Sequence, residues 1–147
     1  MVIDDDESIR KVISAILEEN DYSVDTAENG KEAIEKTERG VYDLALIDIR
    51  LPDMEGTELL TALKDTTPRM KKIILTGYPT LENAIEAVNK GADGFLLKPI
   101  DMEQLLKTIK EQIEKHKEEI KYSEKKVADW LKSRAKELNI NIEKEKF

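Results

Sequence analysis

Apolar positions along this chain follow two alternating rhythms. Short runs of strand length stand at Met1–Ile3, Ser23–Ala27, Leu44–Ile47, Lys72–Leu75 and Gly94–Leu97, each ended by polar or glycine residues. The third and fourth runs are almost wholly apolar, as strands buried on both faces must be. The second alternates polar and apolar side chains (Ser23, Val24, Asp25, Thr26, Ala27), which suits an edge strand. Between the runs the spacing becomes helical. Ile9, Val12, Ile13, Ile16 and Leu17 form one stripe, with Asp6 or Ser8 to cap it and Asn20 near its stop. Ala33, Ile34 and Thr37 form a second that Gly40 closes; Leu59, Leu60 and Leu63 form a third ending before Pro68. Ala84, Ile85 and Val88 make a fourth, closed at Gly91, and Met102, Leu105, Leu106, Ile109 and Ile113 a fifth. The order is (βα) repeated five times. Connections too long for hairpins then predict an α/β fold, a parallel sheet with helices on both faces.

Composition narrows the chemistry. The chain has 147 residues with no cysteine, which excludes disulfides, thiolate metal sites and cysteine nucleophiles. No apolar run approaches the roughly 20 residues of a bilayer span, so no membrane role is expected. Met1-Val2-Ile3 leads directly into Asp4-Asp5-Asp6, unlike a secretory signal, and the expected compartment is the cytoplasm. The net charge of −8 is uneven: residues 1–100 carry −9, whereas residues 101–147 carry +1 with dense charge of both signs. An acidic body argues against direct nucleic-acid binding, which needs cations to displace phosphate counterions. Cations and basic protein surfaces remain as ligands.

In an open parallel sheet, ligands bind beyond the C-terminal ends of the strands. Here those ends carry Asp4-Asp5-Asp6, Asp48, Thr76 and Lys98-Pro99. Any one of them could simply cap the next helix or sit in solvent. Their joint occurrence at four strand ends points instead to one rim where carboxylates, a hydroxyl and an ammonium converge. Clustered carboxylates repel, and a divalent cation relieves them. An oxygen-only donor set suits Mg²⁺ or Mn²⁺.

Four motifs carry a resemblance to the receiver domains of two-component response regulators. They are Val2-Ile3-Asp4-Asp5; Ala45 through Gly56, reading ALIDIRLPDMEG; Leu75-Thr76-Gly77-Tyr78; and Gly91 through Pro99, reading GADGFLLKP. The resemblance covers residues 1–117 and implies a flavodoxin-like sheet of order 2-1-3-4-5. It implies that Asp48 accepts a phosphoryl group from a sensor histidine kinase, and that the chain is a signalling domain rather than an enzyme. Asp4, Asp5, Asp48 and the backbone carbonyl of Arg50 would form the Mg²⁺ (or Mn²⁺) site, with Asp4 orienting a metal-bound water. Lys98 would hold the phosphoryl oxygens, Thr76 would close onto them, and the backbone of Ile49 and Gly77 could donate to them. Phe95 stands at the switch position, Arg50 and Tyr78 at positions that tune phosphate lifetime, and the Lys98-Pro99 bond is expected to be cis. Gly56 suits a tight loop after the third strand. Phosphorylation would alter a protein-binding surface on the fourth helix, fifth strand and fifth helix, with homodimerisation a further expectation. One departure stands out: only three residues precede Asp4, so the first strand is short.

Residues 118–147 form a charged, helical C-terminal extension. Ile113, Ile120 and Val127 are seven apart, yet His116, Ser123 and Glu124 interrupt the thread. Two readings stand: a solvated helix held by local pairs such as Glu118 with Tyr122 or Glu124 with Lys125, or an amphipathic one. In the second, Val127, Trp130, Leu131 and Leu138 meet a partner, the body or a second copy. His116, alone among Lys and Glu, reads as a surface residue. About 30 residues do not make a helix-turn-helix module, so the output partner is expected to be another protein. Two other functions compete. One is the receiver portion of a longer DNA-binding activator; the other is a haloacid-dehalogenase-type phosphatase using Asp4 and Asp6.

Overall fold

A computed structural model describes residues 1–66 and 68–139. Its strands are β1 (Val2–Ile3), β2 (Thr26–Ala27), β3 (Leu44–Asp48), β4 (Lys71–Thr76) and β5 (Gly94–Leu97). They alternate with α1 (Glu7–Glu19), α2 (Gly30–Arg39), α3 (Gly56–Ala62), α4 (Leu81–Asn89) and α5 (Met102–Glu137). All strand pairs are parallel, in the order β2-β1-β3-β4-β5. The expected doubly wound, flavodoxin-like fold is the fold observed.

Strand periodicity builds two cores from one sheet. Ile3, Ala45, Ile47 and Ile74 turn to one face, where they pack with Ala33 of α2, Leu59 and Leu60 of α3 and Ala87 of α4. Val2, Leu46, Ile73 and Leu75 turn to the other, against Ile13 and Leu17 of α1 and Leu105 and Ile109 of α5. The helices start where capping chemistry allows. The carboxylate of Asp6 accepts from the N–H groups of Ser8 and Ile9, Asn29 from Glu32, Thr80 from Asn83, and Asp101 from Glu103 and Gln104. After α4, Gly91 takes φ +96°, the left-handed turn that the expected glycine stop requires.

β2 pairs with β1 through Thr26 and Ala27, not across the whole run from Ser23. The terminal ammonium of Met1 donates to the Leu44 carbonyl at 2.8 Å, and burial lowers its pKa to about 6. Lys72 breaks the expectation of an apolar β4. It is fully buried, and its Nζ donates to the Leu60 carbonyl and to Asp65, each at 2.8 Å. A buried ammonium is tolerable when such partners replace its water.

α5 is 36 residues, or about 54 Å, long and runs unbroken past residue 118. His116 is a correction. It is 3% exposed, not a surface residue, and its Nε2 lies 3.2 Å from Asp43 Oδ1, leaving Nδ1 buried and, among the described residues, without a partner. Its helical spacing from Leu105, Ile109 and Gln112 puts it on the face that α5 turns to the sheet. The extension's local contacts also differ from the expected ones: among the described residues, Lys126 lies over the Tyr122 ring and Arg134 over Trp130. Residues 140–147 of the expected extension lie outside the described residues.

Candidate functional site

The register assembles the rim. Ile3 stands beside Ile47 in the β1–β3 pair, so the next residues, Asp4 and Asp48, leave adjacent strands side by side. Asp4, Asp5 and Asp48 each offer a carboxylate oxygen, all within 4.8 Å of one another. Asp4 is fully buried and Asp48 nearly so, while Asp5 faces solvent. From the end of β5, Lys98 Nζ reaches Asp4 Oδ2 at 2.9 Å and Asp48 Oδ1 at 3.4 Å. The Lys98–Pro99 peptide bond is cis.

Further contacts hold this arrangement. Asp4 Oδ1 accepts from the Asp6 N–H at 2.9 Å, and the Asp4 carbonyl accepts from Arg10 Nη1 at 2.7 Å. Arg10, in the first turns of α1, is absent from the sequence expectations, and no motif marks it. Gly56 N–H donates to the Ile49 carbonyl at 2.7 Å. A Cβ at Gly56 would overlap the Asp48 carbonyl and lie 2.8 Å from Ile49 Cα, so only glycine lets α3 begin against this loop.

Electrostatics follow from the burial. Desolvation, then the neighbouring Asp4, push the Asp48 carboxyl above the ordinary carboxylate range, against the pull of Lys98 and of the Arg50 N–H at 3.4 Å. For Lys98, desolvation is the largest influence and pulls downward. Its hydrogen bond to Asp4 and the charges of Asp4 and Asp48 outweigh it, so its pKa is raised. The rim therefore holds more negative charge than one ammonium neutralises. That excess, with oxygen as the donor on all three carboxylates, fits a hard divalent cation.

The remaining expected residues fall as follows. Thr76 is fully buried at the end of β4, and its Oγ accepts from the Tyr78 N–H at 3.1 Å. Phe95 is half-buried and packs on the α2–α4 side of the core. The Arg50 guanidinium lies over the Tyr78 ring, 5.0 Å from its centroid, so the two positions expected to tune phosphate lifetime touch each other. Two expectations need amendment. The Ile49 N–H is spent on the Leu75 carbonyl at 2.9 Å, and it is the Arg50 N–H that donates to Asp48 Oδ1, at 3.4 Å. Asp6, which a dehalogenase-type site would pair with Asp4, is an exposed cap of α1 and lies outside the carboxylate cluster.

A parallel five-stranded sheet with a lysine-flanked acidic rim at its strand ends defines a doubly wound α/β domain whose charged groups gather where such sheets bind ligands. The family model for the response regulator receiver domain matches residues 1–110, and the chain belongs to that family. The transcriptional regulatory protein ZraR of Klebsiella oxytoca is 38% identical over 113 residues, 77% of this chain and 26% of its own. The chain thus spans about a quarter of the length of such curated relatives. A CheY-like receiver domain protein from Methanospirillum hungatei superposes with a TM-score of 0.76 at 43% identity, over 80% of this chain and 94% of its own. The beryllofluoride-activated NtrC4 receiver domain dimer gives 0.73 at 37% identity, over 78% and 95%. Receiver domains take phosphoryl groups from histidine kinases and bind Mg²⁺ at an acidic pocket. Among the described residues, no helix is long and apolar enough to cross a membrane.

Proposed function

We propose that Asp48 is the phosphoacceptor of a cytoplasmic signalling switch, with residues 1–117 as its receiver body. The observation that carries this is the convergence of Asp4, Asp5 and Asp48 on Lys98 Nζ. An Asp48 carboxylate oxygen attacks the phosphorus of a kinase phosphohistidine. The O–P bond forms, the P–N bond breaks, and the imidazole keeps the electron pair and takes up a proton. Lys98 then exchanges its contact with Asp48 for the phosphoryl oxygens. Asp4, Asp5, Asp48 and the carbonyl of Arg50 would hold Mg²⁺ or Mn²⁺, which supplies charge neutralisation for a group in flight. The protein's share is positioning: Asp4, anchored by Asp6 N–H and Lys98, keeps the cluster compact before any phosphate arrives.

Thr76 is placed to turn its hydroxyl from the Tyr78 N–H toward the new phosphate, vacating space that Phe95 fills. The surface so altered carries Leu81, Ile85 and Val88 of α4 and Leu97 of β5, all more than half exposed, which suits a protein partner. The ZraR relatives favour a second reading of the output, control of transcription through a DNA-binding element; the complete open reading frame separates the two. The phosphoacceptor itself is tested by treating the protein with acetyl phosphate and Mg²⁺ and measuring intact mass. One hydroxylamine-labile phosphate should appear, and chelation or Asp48→Asn should abolish it. A label that persists in Asp48→Asn would overturn the assignment.

A further inference from the structure

Past Glu119, whose carboxylate pairs with Lys71 Nζ at 2.7 Å, α5 continues for about five turns, in which Ala135 is buried and most other residues are exposed. An isolated helix of that length is marginal in water. Its pattern is nevertheless specific. Ile120, Glu124, Val127, Leu131, Arg134 and Leu138 follow the four–three spacing of a two-stranded seam. Val127 and Leu138 are 57% and 63% exposed, and Trp130, which flanks the seam, 61%. The stripe is continuous with the face that α5 buries upstream through Leu105, Ile109 and His116. Val127, Trp130 and Leu138 all stay more than half exposed, with the Arg134 guanidinium over the Trp130 ring.

The two charged seam positions identify the occupant and its direction. In a parallel pair, each layer sets a residue against itself, so Glu124 meets Glu124 and Arg134 meets Arg134. In an antiparallel pair, Ile120 meets Leu138, Val127 meets Leu131, and Glu124 meets Arg134, each layer occurring twice. Glu124 then faces a base and Arg134, which pairs with Glu137 at 3.2 Å in its own helix, faces an acid, and every other layer is apolar. The same alignment sets Trp130 against Trp130 on one side of the twofold axis and the small Ala128 against Ala128 on the other. The near-neutral charge of residues 101–147 permits such an approach.

We propose that residues 120–138 form an antiparallel two-helix interface with a second copy of this chain. The inference is independent of the phosphoacceptor assignment, because it uses none of the rim residues. Sedimentation of the full chain should give twice its 16.8 kDa mass, and the emission of its single tryptophan should shift to the blue as concentration rises. Glu124→Arg or Arg134→Glu alone should weaken the dimer about tenfold, since two attractive contacts become repulsive. The double swap should restore it, an outcome that a merely structural role for either residue would not give.

Direction is read by cross-linking, which the absence of native cysteine makes clean. Ile120→Cys mixed with Leu138→Cys should yield the mixed disulfide. Circular dichroism melts should show the same body unfolding in every variant, since the substituted side chains lie outside the core. A monomer at all concentrations up to about 100 µM would overturn the proposal. So would Ile120→Cys cross-linking only to itself, or a double swap that fails to rescue.

Discussion

Lys98→Met tests how the rim tolerates its own charge. The lysine ammonium lies 2.9 Å from Asp4 and 3.4 Å from Asp48. At an effective dielectric constant near 20, each contact represents about 5 kcal/mol of gross attraction, against which the burial of Lys98 must be set. Removing one partner from a buried ion pair costs about 3–5 kcal/mol. Because the Lys98 side chain retains 21% exposure, the lower end applies, and we expect a loss of about 3 kcal/mol at neutral pH. With a urea m-value near 2 kcal/mol/M, the midpoint falls by about 1.5 M.

The pH dependence gives the sharper test. Asp48 already holds its proton to higher pH in the folded than in the unfolded chain, so the native state binds more protons in that window. Stability then falls as pH rises through the folded pKa. Without Lys98 the carboxyl is pushed further up, so Lys98→Met should lose most at neutral pH, and its deficit should shrink towards acidic pH as Asp48 takes up its proton. Urea denaturation of both proteins across that range reads the difference directly. A variant whose deficit is the same at both ends, or absent, refutes the electrostatic account of the rim.

Asp48→Asn removes the desolvated charge while keeping its shape. It should raise the urea midpoint at neutral pH, and that advantage should shrink on acidification. Gly56→Ala forces a Cβ against the Asp48 and Ile49 backbone. It should cost about 2 kcal/mol in a thermal melt and slow phosphorylation by acetyl phosphate; unchanged values would show that the loop is pliant. His116→Leu removes a buried nitrogen with no partner among the described residues, along with the contact to Asp43. Stability should stay level or rise, because an unsatisfied buried polar group costs about 1–3 kcal/mol; a loss beyond about 1.5 kcal/mol would mean that the Asp43 contact dominates.

The alternation of runs and stripes made the five βα units readable. Strands buried on both faces and helices with one apolar stripe have different periods, and that difference survives in one dimension. The rim residues were readable for a related reason: each stands at the end of an apolar run, where a parallel sheet must place its ligand-facing groups. Residues chosen by long-range neighbours were not readable. Lys72 breaks the apolar pattern of β4 and is buried because the Leu60 carbonyl and Asp65 come to meet it. His116 sits among charged neighbours in sequence, yet α5 turns it toward β3 and Asp43. Arg10 supports Asp4 through a backbone carbonyl, a contact that leaves no mark on residue type.

The sequence by itself determined the α/β class, the number and order of elements, and the chemistry available at the strand ends. Periodicity and side-chain type are local, and these properties follow from them. Only the tertiary structure decided that Asp4 and Asp48 lie side by side with Lys98 between them, because that depends on the β1–β3 register and on the path of the chain after β5. It also decided that α5 continues past Glu119 with Val127, Trp130 and Leu138 more than half exposed, since a helix shows which of its faces is covered only once the rest of the chain has packed.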